Sequence, residues 1–548
     1  MTQDPGPFKP KQIRELDQIR RITRDELLRR GLAGAVLLSG SAGLLAACGG
    51  GDDETTATPT NTAEGSSDIK RGGTLRVGVT GGGPEDTVDA HKPVVKPDQA
   101  RIVQLHEPLL RYNENFEIEP NLAEEILADD PGTWTIRLRE GVEFHNGKTV
   151  TAEDVIFSLR RIIAKETASF GGPGLGSLDP NGMTKMDART VRLKLKGPDV
   201  TIRDELGQYF NGIVPVDYDP KSPVGTGAFK FGSFTPGQES RFTRNENYWR
   251  DGEPFADELV ILDFPDATAR VNALLGGQVD AIDEVPFGQI SVVEGGEFDL
   301  LESEQGSWRP FTMRIDAAPF DDVRVRQAFR LIANRQELID QALDGHGRLG
   351  NDLYAPFDPC YADDLPQREQ DLDEAKSLLK AAGQANLKIE LTTAEIAAGV
   401  VEAAQVFAEQ ARGAGLTVTV KKVDTGAFYG DNYLKWVFAQ DFWGTRNYLQ
   451  QAAAGSLPTS PYNETHWAAP NPARYRELIA EARTTVDDAA RCEILHEAQE
   501  LEYNEGGYII WGFISQFDAY SNKITGLVPD RGTLPLNGYG FRHVGFKS

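Results

Sequence analysis

Cysteine, histidine and a lysine behind a glycine are where chemistry would be sought first in this 548-residue chain, and their spacing excludes most of it. The three cysteines, Cys48, Cys360 and Cys492, form no C-x-x-C pair and join no histidine cluster, so no metal site is marked. The seven histidines (91, 106, 145, 346, 466, 496 and 543) are scattered. His106-Glu107 and His496-Glu497 lack the second histidine that a zinc-binding helix needs. No G-x-S-x-G supplies a nucleophilic serine. Gly147-Lys148-Thr149 precedes a helical pattern, but Gly141 lies six positions before Gly147 where a phosphate loop needs five, and Glu143 would oppose phosphate. One thiol stands apart. Cys48 closes an uncharged run from Gly31 to Ala47 that follows Arg29-Arg30. A basic segment, an apolar core and small residues before a cleavage point are the parts of a secretory signal. Seventeen residues with four glycines are too short and too weakly apolar for a membrane span, which needs about 20 apolar residues.

The run Leu45-Ala46-Ala47-Cys48 resembles the lipobox of bacterial lipoproteins. The resemblance implies that the Cys48 sulfur receives a diacylglycerol and that residues 1–47 are cut away as a signal peptide. Two acyl chains give stable attachment where one does not. Thr23-Arg24-Asp25-Glu26-Leu27-Leu28 has the outline of a twin-arginine motif but carries Asp where the second Arg belongs, so the twin-arginine and general export routes both stay open.

Loss of the leader, with eight Lys/Arg and five Asp/Glu, takes the net charge from −26 to −29 and leaves 501 residues. That is too long for one hydrophobic core, so two or three domains are expected. A surface so acidic repels phosphate backbones, which argues against nucleic acid as a partner. Residues 48–69 are rich in Gly, Ser, Thr and acids and read as a flexible tether reaching about 25 Å. With Cys48 acylated, Cys360 and Cys492 remain, free to pair or to stay apart in an extracytoplasmic compartment.

The elements that must position a site follow the tether. Gly72–Val79 and Trp134–Arg139 alternate as strands, and Thr151-Ala152-Glu153-Asp154 opens a helix carrying Val155, Ile156, Leu159, Ile162 and Ile163 at helical spacing. From Phe311 the helical patterns lengthen. Val325–Leu343, Leu372–Ala382, Val400–Ala411, Pro472–Arg483 and Ala489–Asn504 read as helices. Leu387–Leu391, Leu416–Val423 and Tyr508–Phe513 read as strands. Strand–helix–strand succession makes this an α/β chain with mixed sheets.

The order EPLL (107–110), PNLAEE (120–125) and WTIRLREGVEFHNGKTVTAEDVIFSL (134–159) resembles the solute-binding proteins of the peptide/nickel class of ABC importers, bacterial extracellular family 5. Gly225-Thr226-Gly227, Asn245-Glu246-Asn247-Tyr248-Trp249, Ala273–Asp280 and Pro319–Ala328 extend the likeness in the same order. It covers residues 72–527. The family implies a two-lobed, periplasmic-binding-protein-like clamp of class II type, hinged, with the ligand cleft between lobes. The first lobe is expected at 70–310 plus 524–548 and the second at 311–523. Gly225 and Gly227 are expected to supply unusual backbone angles, Asn247-Tyr248-Trp249 to pack and cap a loop, and Arg324 and Arg326 to pair locally with Asp321 and Asp322.

The same resemblance points to Val437-Phe438-Ala439-Gln440-Asp441-Phe442-Trp443 as the ligand strand. Asp441 matches the acid that holds a ligand ammonium in peptide-binding members, although the following Asp-Pro is replaced by Gly444-Thr445. Backbone groups of Val437, Phe438 and Ala439 are expected to pair with an extended peptide, with Glu107 facing them from the first lobe. Trp436, Phe442, Trp443 and Trp467 offer aromatic surface, and Tyr462–Trp467 is a candidate cleft loop. The implied protein is no enzyme and uses no cofactor or metal. It is a monomer tethered through Cys48 on the outer face of the cytoplasmic membrane, passing a peptide or small solute to permease and ATPase subunits. An extracytoplasmic peptide hydrolase and a transport-independent solute sensor are the alternatives.

Overall fold

The computed structural model describes residues 69–294, 296–467 and 472–548. Cys48, the expected signal peptide and nearly all of the expected tether lie outside the described residues. Ile69 and Lys70, at the far end of the tether, already form a strand paired with Lys547 and Phe546.

The alternation at Thr74–Thr80 becomes the strand around which the largest sheet is built. Leu75, Val77 and Val79 are fully buried. This strand runs parallel to Glu258–Phe264 and to Ala281–Ile282. The sheet continues outward through Glu239–Arg244 to Phe229–Thr235 on one side, and through Gly512–Ser521 to Phe298–Trp308 on the other. Both parallel and antiparallel pairs occur, as expected of a mixed sheet.

A separate antiparallel sheet joins Ala123–Asp130, Thr133–Leu138, Leu178–Lys185 and Thr190–Leu195. The helix Ala152–Ile163 buries Val155, Leu159 and Ile162, the stripe that its apolar spacing required. It begins where the capping box placed it, with the Asp154 carboxylate accepting from the Thr151 amide at 3.0 Å and from its hydroxyl at 2.7 Å.

Between Phe311 and Ile509 the chain builds a second assembly. Phe438–Gln440, Phe311–Met313 and Tyr508–Ile509 form an antiparallel sheet, and Lys388–Thr393 pairs in parallel with Thr417–Lys422. Val323–Ile332, Arg335–Ala342, Leu372–Ala381 and Val400–Gly413 cover these strands. The single helix expected over Val325–Leu343 is two. Ala333 is extended, and Asn334 caps the second helix by accepting from the Glu337 amide at 3.1 Å. Arg324 does pair with Asp322, but Arg326 is buried and donates to the carbonyls of Phe320 and Glu505.

Two short segments carry the chain between the assemblies. Arg309-Pro310 leads out, from the end of Phe298–Trp308 to Phe311; Ile510-Trp511 leads back, from Ile509 to Gly512. The apolar run Tyr508–Phe513 is therefore not one strand, because its two ends belong to different sheets. The return precedes Ile524, so Gly512–Ser521 joins the first sheet rather than the second assembly.

The two halves also touch away from the crossings. Arg483 donates to Asp199 at 2.6 Å, Asn447 to Asp204 at 2.7 Å and Gln450 to Glu205 at 2.8 Å. Burial raises Glu205 to about 7. Cys360 and Cys492 are joined in a disulfide, closing a loop with a sequence separation of 132.

Candidate ligand-binding site

Side chains alternate along a strand, so Phe438 and Gln440 point one way and Ala439 and Asp441 the other. Phe438 enters the second core, within 5.3–6.2 Å of the rings of Phe311, Phe320, Phe329 and Phe407. Ala439 packs in a smaller cluster beside Phe428, Tyr429, Tyr433 and Trp436. That arrangement aims Asp441 at two phenols. Its carboxylate accepts from Tyr429 at 2.9 Å, from Tyr433 at 3.0 Å and from the Phe442 amide at 2.9 Å. The phenols lie in the turns that follow a short helix, Thr425–Phe428, capped by Asp424 through the Ala427 amide at 2.9 Å. Four residues apart on one coil, they meet edge to face at 4.9 Å.

A second carboxylate joins the first. Glu464 lies on the loop after Ala452–Ser456 and is 5% exposed, against 4% for Asp441. The loop is pinned on both sides of it. Asn463 donates to the carbonyls of Leu457 and Trp467, the Ile315 amide donates to the Thr465 carbonyl, and His466 bridges Asp316 and the Leu434 carbonyl. Neither oxygen of Glu464 makes a hydrogen bond of ordinary geometry, and the neighbouring Trp443 indole N–H and Tyr508 hydroxyl are equally unpaired. A group of orphaned buried polar atoms is uncommon in a folded protein and asks for a partner.

The charges are unbalanced. Burial raises Asp441, and the amide and phenol donors only partly offset it. Burial and the Asp441 charge beside it drive Glu464 well above the usual carboxylate range. Burial likewise holds both phenols far above their ordinary value, so they stay neutral donors. The cation these acids feel is Arg309, on the outward crossing. Its guanidinium is lowered to about 10 by burial, against the pull of Glu284 in the first sheet region and of Asp441 in the second assembly. Arg309 lies 5.7 Å from the Phe442 ring centroid, and its Nε is unpaired.

The other residues expected at the site fall into two groups. Phe442 is 45% exposed beside Arg309, and Trp443 is buried, stacked on Trp308 at 5.9 Å and joined to it by reciprocal backbone hydrogen bonds of 3.0 Å. These two belong with Asp441. Val437, Phe438 and Ala439 lie on or beside a strand at the edge of its sheet. Phe438–Gln440 pairs with Phe311–Met313 on one side, where the Val437 carbonyl also takes the Arg314 amide. The other edge of Phe438–Gln440 has no ladder partner among the described residues.

Glu107 is placed differently from the expectation. It is buried, and its carboxylate accepts from Thr226 at 2.9 Å and from the Tyr248 hydroxyl and Trp249 indole at 2.8 Å each. It fastens the Asn247-Tyr248-Trp249 loop instead of facing Asp441. Gly225 and Gly227 serve the same corner, and not through unusual angles. A Cβ on either would lie 1.9 Å from the Leu105 carbonyl oxygen or 2.1 Å from that of Gln104, so only glycine permits the approach.

The description of bacterial extracellular solute-binding proteins, family 5, matches residues 117–463. The chain belongs to this family. It is a solute-binding protein and not an enzyme. Among curated relatives, the dipeptide-binding protein of Escherichia coli is 24% identical over 470 residues, 78% of this chain and 86% of that protein. Heme-binding protein A of Haemophilus influenzae is 29% identical over 313 residues, 52% of this chain and 57% of that protein, so the match spans little more than half of that relative. An ABC transporter-associated periplasmic binding protein of Helicobacter pylori, solved with a bound peptide, shares the fold with a TM-score of 0.70 at 21% identity, covering 87% of this chain and 99% of that one. The periplasmic-binding-protein fold that the motifs implied is the fold observed.

Tyr429, Tyr433, Glu464, Tyr508 and Arg309 were not singled out by the sequence as ligand groups. The i, i+4 spacing of the two tyrosines ahead of the Asp441 strand was the available signal for them, and Glu464 sat inside the Tyr462–Trp467 loop already marked.

Proposed function

We propose that this protein is the lipid-anchored, extracytoplasmic receptor of an ABC importer, capturing short peptides or other small amine-bearing solutes and delivering them to a permease. The observation that carries the reading is Asp441, a buried carboxylate held by neutral donors with no Lys or Arg in contact among the described residues. An ammonium entering that setting gains charge-assisted hydrogen bonds in a water-poor place, where they are strongest. Arg309, with an unpaired Nε beside Phe442, suits the carboxylate or a carbonyl of the same ligand. The peptide-binding relatives support the solute class, and the lipobox at Cys48 supports the anchor.

The test is calorimetric titration of L-alanyl-L-alanine into the mature protein and into Asp441→Asn. At least a tenfold loss of affinity is expected, about 1.4 kcal/mol or more, with thermal stability retained. Equal affinity would remove Asp441 from the site. Native mass spectrometry of the purified protein identifies any solute carried through purification, and Cys48→Ala is expected to move the protein from the membrane to the soluble fraction.

A further inference from the structure

Among the described residues Glu464 is the only acid whose two oxygens are both buried and without a hydrogen bond of ordinary geometry. The Tyr429 and Tyr433 hydroxyls and the Phe442 amide all go to Asp441, while the Trp443 indole and Tyr508 hydroxyl beside Glu464 make no hydrogen bond of ordinary geometry. Two buried carboxylates close enough to couple cannot both stay charged without a cation. The partner held by three donors, Asp441, keeps the charge and Glu464 keeps a proton. The groups facing the pair do not change this. Tyr429, Tyr433 and Tyr508 are neutral, Trp443 offers only an indole N–H, His466 is turned to Asp316 and the Leu434 carbonyl, and Arg309 is in contact with neither acid.

We propose that Glu464 is a second ligand-binding acid, which with Asp441 forms a two-carboxylate socket for a cation donating in more than one direction, a primary ammonium or a guanidinium, and that the cation enters in exchange for the Glu464 proton. This deepens the amine-anchor reading of Asp441 and rests on it. As the ligand arrives, the Glu464 O–H bond breaks and the proton leaves to solvent. One ligand N–H then reaches Asp441 and another reaches Glu464. A quaternary ammonium, which has no N–H, cannot make the exchange. A single carboxylate satisfied by three donors would need no such exchange, so the second acid sets both the ligand class and the proton count.

The probe is L-alanyl-L-alanine, titrated at several pH values in buffers of unlike ionisation enthalpy, with the N,N,N-trimethyl form as control. Wild type is expected to release close to one proton per ligand, its affinity rising by up to about tenfold per pH unit while Glu464 is protonated. Glu464→Gln is expected to bind more weakly, release no proton and lose the pH dependence, and the trimethyl form is expected not to bind. Binding by wild type with no proton released, or with a release that Glu464→Gln retains, overturns the proposal. If Asp441→Asn binds as wild type does, the amine-anchor reading itself fails, and the socket with it. A readout without ligand decides the case in which the probe does not bind. The infrared band of a carboxylic acid should be present in wild type at neutral pH and absent from Glu464→Gln; its absence from wild type overturns the proposal.

Discussion

Asp352 and the Asp441–Glu464 pair are buried to nearly the same degree in the second assembly, yet their surroundings are opposite. Asp352 sits among three guanidiniums. Arg335 reaches both its oxygens at 2.7 Å, Arg368 one at 2.9 Å, and Arg330 lies at 3.8 Å, while the Ile510 amide on the returning crossing adds a bond of 3.1 Å. Asp441 and Glu464 have phenols, an indole and an amide around them and no cation in contact. An over-supplied acid fixes structure, because its partners are already in place. An under-supplied pair leaves attraction unspent, and a ligand can use it. Burial alone does not separate the two; the partners do.

Four substitutions test that contrast, the largest effect first. Asp352→Asn strands several buried guanidiniums, one of which burial already lowers to about 9, and is expected to lose about 3–5 kcal/mol in urea unfolding. A loss below about 1 kcal/mol would show that the arginines are solvated elsewhere. Glu107→Gln keeps the shape but weakens three hydrogen bonds in the first half of the chain. It should cost about 1–3 kcal/mol and leave dipeptide affinity unchanged; an affinity loss would return Glu107 to the ligand site.

Glu464 gives a pH signature. Its folded value is raised above the ordinary 4.5, so its contribution to stability is complete below that value and is lost as pH rises through the folded one. Relative to wild type, Glu464→Gln should therefore gain stability between acid and pH 8, as seen in denaturation midpoints at the two ends. Parallel curves would mean that the acid is not buried in solution. The smallest effect belongs to Asp441→Asn, whose stability should stay within about 1 kcal/mol of wild type because the amide oxygen still accepts from a phenol. A large loss would make Asp441 a structural acid like Asp352.

The elements of this fold were legible where a pattern is local. The capped helix at Ala152, the strand at Thr74 and the order of family motifs each depend on neighbours in sequence. The split of Val325–Leu343 at Asn334 was missed because amphipathic spacing runs on through a cap. The break inside Tyr508–Phe513 was missed because one apolar run serves two sheets, and nothing in its composition marks the crossing.

The site divides the same way. Sequence alone determined that Asp441 ends an apolar strand, that Tyr462–Trp467 is a polar and aromatic loop, and that the chain has the motif order of its family. Whether an acid is spent or available was decided only by tertiary structure. Glu107 is consumed by Thr226, Tyr248 and Trp249, over a hundred positions away, and Asp352 by arginines on separate elements. Glu464 reaches Asp441 from a loop that no periodicity ties to that strand. Such pairings depend on which elements the fold brings side by side, and a buried charge takes its meaning from what stands within a few ångströms of it.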